Sequence, residues 1–116
     1  MREKISEKNI SQQQIFRAID ISDKYGYKLI SGEKHTRQRD VILKLCIAGR
    51  FSIEETDEAL ILYGMAPLYM GNSRDTAIMT AINGGIREIS DMNKRLTDSG
   101  FEPLYESKHN SAKEEE

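Results

Sequence analysis

The chain contains one stretch of itself twice. Residues 39–69, RDVILKLCIAGRFSIEETDEALILYGMAPLY, align with residues 74–105, RDTAIMTAINGGIREISDMNKRLTDSGFEPLY. The offset is 35 at the start and 36 after one inserted residue near Gly85. Identical pairs run the whole length: Arg39/Arg74, Asp40/Asp75, Ile47/Ile82, Gly49/Gly84, Ile53/Ile89, Leu60/Leu96, Gly64/Gly100, Pro67/Pro103, Leu68/Leu104 and Tyr69/Tyr105. Each copy has the form of a helical hairpin, with an Arg-Asp start, a glycine turn, a second helix and a Gly-x-x-Pro-Leu-Tyr stop. Such a hairpin cannot bury its apolar stripe alone, so the two copies are expected to stack on one another. The repeat is either a packing unit or a duplicated ligand-binding unit. In both cases Tyr69 and Tyr105 take equivalent places, covering a helix end.

Periodicity extends the helical reading to the whole chain. Only two prolines occur among 116 residues and strand-like alternation is absent, which predicts an all-α protein. A length of 116 residues fits one domain, here expected over 1–106 with a disordered tail over 107–116. Ser11 and Gln14 have the spacing of a capping box, opening a helix with Ile15, Ala18 and Ile19 inward. Ser22 caps a helix from Asp23 to Ile30, and Gly32 is placed to end it. Thr36 caps a helix through about Ala48, burying Val41, Ile42, Leu45 and Ala48, with Gly49 closing it. Ser52 and Glu55 form a second capping box before Ile53, Leu60 and Tyr63, and Gly64 stops that helix. Two more helices are expected near Arg74–Asn83 and Ile86–Asp98.

Charge is distributed unevenly. The net charge is −2, yet residues 22–50 carry seven basic and three acidic side chains, and residues 51–116 carry six basic and thirteen acidic. A basic middle segment beside an acidic second half suits a partner with one anionic face. The first residues lack the apolar stretch of a signal peptide, and the longest apolar run, Val41 to Ala48, is broken by Lys44. With a single cysteine, Cys46, there is no disulfide framework. A cytoplasmic protein without membrane contact is the expectation. His35, Cys46 and His109 lack metal-ligand spacing, and no strand precedes Asn83-Gly84-Gly85 to make a phosphate cradle. No catalytic constellation stands out, so neither an enzyme nor a cofactor is expected.

Residues 11–60 resemble the helix-turn-helix of the Cro and phage-repressor family. Ser11-Gln12 matches the start of that motif's second helix, Ile21-Ser22 the turn exit, and Ser22 to Ile30 the recognition helix. Ser31-Gly32-Glu33-Lys34 matches the following loop, Val41 to Ala48 the fourth helix, and Ser52-Ile53-Glu54-Glu55 the start of the fifth. The chain is also similar to small helix-turn-helix proteins of Gram-positive bacteria with an "RD…PLY…RD" second half. Three positions depart from the family: Phe16 stands where it usually has Ala, Asp20 where it has Gly, and Gly26 where it has a branched apolar residue. Phe16 and Gly26 form a compensating pair if the large ring fills space left by the missing side chain. Gly26 inside a short helix costs on the order of 1 kcal/mol of helix propensity. Before Ser11 only Ile5 and Ile10 are buriable, so the family's first helix is at most short and exposed.

The resemblance implies binding of double-stranded DNA by a bacterial transcriptional regulator, with residues 22–30 entering the major groove. Asp23, Lys24, Tyr25, Tyr27 and Lys28 are then the outward candidates on the recognition helix. Gln12 and Gln13 would meet phosphate at the start of the preceding helix, and Lys34, His35, Arg37 and Arg39 would follow the backbone. The competing structural reading makes Tyr25 and Tyr27 half-buried packing groups, and has Arg39 pair with Asp40 or cap a neighbour. The recurrence of Arg-Asp at Arg74-Asp75, outside the resemblance, favours that role for Arg39. A different function class also fits: a protein-interaction adaptor that keeps the helix-turn-helix shape without binding DNA. In either case the hairpin repeat is the expected place for a homodimer or protein partner.

Overall fold

The computed structural model describes residues 1–104. It arranges them as seven helices: α1 (Arg2–Glu7), α2 (Gln12–Ala18), α3 (Asp23–Ser31), α4 (Arg39–Ala48), α5 (Ile53–Leu62), α6 (Ser73–Asn83) and α7 (Ile89–Asp98). No strand occurs among the described residues, so the protein is all-α. Tyr105, His109 and the expected disordered tail lie outside the described residues.

Short polar side chains set where the helices start. Ser11 and Gln14 exchange side-chain and backbone hydrogen bonds of 2.9 and 3.0 Å, and Ser52 and Glu55 do the same at 2.9 and 3.1 Å. Both capping boxes are complete. Ser22 Oγ accepts from the Tyr25 N–H to open α3, and Asn72 Oδ1 accepts from the Asp75 N–H to open α6. Thr36 does not cap α4. Its hydroxyl accepts from the Gln38 N–H at 3.0 Å, bending the chain before the helix, and α4 therefore begins at Arg39. Inside α2, Ala18 is exposed and Phe16 takes the inward place beside Ile15 and Ile19.

The two hairpins share their turn and closing hydrogen bonds. After α4 the Phe51 N–H donates to the Cys46 carbonyl, and after α6 the Ile86 N–H donates to the Ala81 carbonyl. The left-handed residue in these turns is Arg50 (φ 65°) in the first copy and Gly85 (φ 93°) in the second. Gly49, expected to close α4, has an ordinary φ of −83°. The N-cap position of the next helix is held by Ser52 in one copy and by Glu88, whose side chain makes no capping bond, in the other. The extra residue of the second copy is thus Arg87, and α7 starts at Ile89 rather than Ile86. Further on, the Leu68 N–H donates to Asp57 and the Leu104 N–H to Asn93, at matching positions.

Arg39 and Arg74 lock the copies together. Arg39 donates two hydrogen bonds of 3.0 Å to the Asp75 carboxylate, and Arg74 donates two of 3.2 and 2.9 Å to Asp40. Each arginine therefore reaches the aspartate of the opposite copy. Its remaining donors meet carbonyls of its own copy: Ala66 and Pro67 for Arg39, Glu102 and Pro103 for Arg74. The bidentate fork of a guanidinium suits this double task. Arg39 pairs with Asp75 and not with its neighbour Asp40.

α4 lies at the centre. Every residue from Val41 to Ala48 is buried, Lys44 included, so this helix has no solvent face. It packs against α2, α5 and α7, while α6 packs against α5 and α7. Ile5 of α1, Ile15 and Phe16 of α2, Leu29 of α3 and Ile78, Met92 and Leu96 of the second hairpin share one core with it.

Candidate functional site

The resemblance directs attention to α3, and its faces separate cleanly. Tyr25, Gly26, Leu29 and Ile30 are buried. Asp23, Lys24, Tyr27 and Ser31 are exposed and Lys28 is half-buried, the set that 3.6-residue periodicity puts on one side. Tyr25 is therefore corrected: at 5% exposure it belongs to the packing face and cannot reach a groove. Tyr27 is 41% exposed and sets its ring edge-on to Phe16, with centroids 5.1 Å apart.

Gly26 explains how α3 lies so close to α2. A Cβ added there would sit 2.5 to 2.6 Å from three ring carbons of Phe16. The ring occupies the volume of the missing side chain, and Phe16 is fully buried. The turn between the two helices is closed by the Ile21 N–H donating to the Phe16 carbonyl, with Asp20 in the left-handed region (φ 62°).

The far end of α3 is pinned from two sides. Gly32 (φ 86°) ends the helix, and the Lys34 N–H donates to the Lys28 carbonyl at 3.0 Å, which brings the two lysine backbones together. Ser31 donates to the same carbonyl and accepts from the Glu33 N–H. From the hairpin, the Tyr63 hydroxyl donates to the Leu29 carbonyl. Burial pushes the Tyr63 phenol up to about 12, so it remains a donor at neutral pH. His35 lies edge-on to the Tyr63 ring, 5.8 Å between centroids, and is exposed.

Among the described residues, Lys24, Lys28, Lys34 and Arg37 make no ion pair, in contrast to Lys8, Arg39, Arg74 and Lys94. Lys24 and Arg37 are exposed, and Lys28 and Lys34 half-buried. At the start of α2, Gln12 is half-buried and Gln13 exposed. Arg17 was missed by sequence reasoning. It is exposed, makes no ion pair among the described residues, and follows Gln13 by one turn, a spacing that puts the two on one helix face. Arg39 leaves the candidate set, because its guanidinium is engaged by Asp75 and two carbonyls.

Other groups are occupied by the fold. Cys46 is buried, and desolvation pushes its thiol up to about 12, which keeps it unreactive. A cleft of about 730 Å³ is lined by Gln38, Asp40, Arg74, Asn93, Glu102, Pro103 and Leu104. Arg74 and Asn93 already serve the hairpin there. No helix among the described residues is long and apolar enough to cross a membrane. Comparison with protein-family models, with curated proteins and with solved structures finds no match.

Proposed function

We propose that this chain is a DNA-binding transcriptional regulator of the helix-turn-helix kind, with α3 as the helix that enters the major groove. The observation that carries the reading is the group of cations without ion pairs, Lys24, Lys28, Lys34 and Arg37, on and just after the outward face of α3. The ion pairs of Lys8, Arg39 and Arg74 link separate parts of the fold, whereas these four cations make no ion pair among the described residues. Lysine on the helix meets guanine acceptors or phosphate, and Lys34 and Arg37 follow the backbone. Arg17 and Gln13 add a second line of contact from α2. The rigid seating of α3, on Phe16 at one side and Tyr63 at its end, keeps the donors in fixed relation to one another.

Fluorescence anisotropy against a pool of random duplexes, at low and moderate salt, tests this. Replacing Lys24, Lys28 and Arg37 with Ala removes three phosphate-range cations. The expected result is binding that weakens steeply with salt, and a slope of log K against log salt flatter by about 3 units in the triple variant. Undiminished binding by that variant places DNA elsewhere. No binding at low salt, with helical circular dichroism intact, rejects the reading.

The alternative of a protein-interaction adaptor has a surface to use, one that does not separate it from the DNA-binding reading. Ile61, Leu62, Tyr69 and Met70 expose large apolar side chains on the first hairpin, away from α3 in sequence. A partner protein seated there serves either function class.

A further inference from the structure

The second hairpin acts as an internal control for the first. Near the end of its second helix each hairpin presents two adjacent outward residues: Ile61 and Leu62 in α5, Thr97 and Asp98 in α7. All four are exposed, Ile61 by 60% and Leu62 by 64%. The fold is therefore built equally well with polar residues at these positions, and nothing inside the hairpin requires Ile61 or Leu62 to be apolar. The loop that follows repeats the contrast at one position. Tyr69 is 68% and Met70 76% exposed; Tyr69 is matched by an identical Tyr105, but the position matching Met70 holds Glu106. Stacked repeats need a polar outer face at each end to stay apart. At the end of the second helix the second hairpin is polar, with Thr97 and Asp98, where the first is apolar, with Ile61 and Leu62.

Ile61 and the Tyr69–Met70 loop lie toward one side of α5, and Leu62 is about 100° further round the helix. Asp57 and Ile61 are one helical turn apart and share a face. The Leu68 N–H donates to Asp57 Oδ1 at 2.9 Å, so the chain has returned along that face when it reaches Tyr69. A Cβ on Gly71 would sit 2.3 Å from the Tyr69 ring, which shows the ring lying over Gly71 and turned out of the core.

We propose that this surface is where a second copy of the chain docks, as a twofold pair. Residues 61, 62, 69 and 70 carry no charge, so the patch meets its own copy without burying an unpaired ion at the centre. At such exposures, four side chains of this size present roughly 500 Å² per copy, and a pairing that covers all of it removes about 1,000 Å² in total, the lower limit for a specific interface. The hairpin already packs on its own duplicate within the chain. The pairing stands on the patch alone and does not rest on DNA binding.

Sedimentation equilibrium of the full chain without DNA, over about 5 to 200 µM, decides it. The expected result is a monomer–dimer equilibrium with a micromolar dissociation constant. Ile61→Thr with Leu62→Asp gives the first hairpin the residues of the second, and should yield a monomer with unchanged helical circular dichroism. Met70→Glu should weaken pairing by about tenfold, and it is the deciding variant if the double substitution loses helicity. A wild-type chain that stays monomeric overturns the proposal, as does a dimer that these substitutions leave equally tight. Since no DNA is present, a failure here is separate from a failure of the anisotropy experiment.

Discussion

Gly26 and Phe16 decide the approach of two helices between them. By propensity alone, Gly26→Ala in the middle of α3 should stabilise the helix by about 1 kcal/mol. The geometry reverses that sign, because the new methyl would fall 2.5 Å from the Phe16 ring, itself fully buried. Gly26→Ala is expected to lose about 1–3 kcal/mol in urea denaturation, and Phe16→Leu in the same chain to recover part of it. A stabilised single variant would show that α2 and α3 can separate at no cost. The pairing of a large and a missing side chain was legible in the sequence, because the departures fall at residues expected to face one another. The burial of Tyr25 was not. A tyrosine next to an outward lysine suits either face, and only the position of Phe16 and the hairpin settles which one it takes. Ala18, expected inward, is exposed because the larger ring of Phe16 claims the closest packed position.

At the scale of the element, the caps were the most legible feature. Ser11, Ser22 and Ser52 cap the helices that their spacing predicts, because a cap is a local bond between residues three apart. Where a start depends on a longer-range influence, the prediction slipped, as at Thr36 and at Ile86. The short helix α1 is a further case: its Ile5 is 2% exposed, buried by contacts that no local pattern records. Lys8, at the end of α1, reaches Glu55 of the capping box at 2.7 Å. This bond, with that to the Ser52 backbone, holds the Glu55 carboxyl below its ordinary range. A depressed carboxylate contributes stability that is present above its unfolded value, near 4.3, and is lost as pH falls through the folded one. Lys8→Met should therefore flatten the acid side of the stability–pH curve below about pH 4.3 and move the Glu55 NMR titration toward the ordinary value. An unchanged Glu55 titration would mean that Lys8 does not pair with Glu55 in solution.

Over the whole molecule, the repeat dictates how it comes apart. A hairpin that reached only its own residues could unfold by itself, but here each arginine reaches into the other copy and α4 is buried against both hairpins. Asp75 is the more sheltered acid, its side chain 7% exposed against 17% for Asp40, and it also accepts from the Tyr69 N–H. Asp75→Ala leaves Arg39 without its partner in a mostly enclosed place. Discounted for the 28% exposure of the arginine side chain, the cost should be about 2 kcal/mol, with a smaller loss for Asp40→Ala. Two probes report on different parts of the chain. Four of the five tyrosines lie before residue 70, so their emission follows α1 to α5, while circular dichroism follows all the helices. If the copies form one cooperative unit, both probes shift together to lower urea in Asp75→Ala and retain a single transition. A second hairpin that melts first, seen as helicity lost ahead of tyrosine emission, would show that the exchanged arginines align two domains and do not fuse them into one.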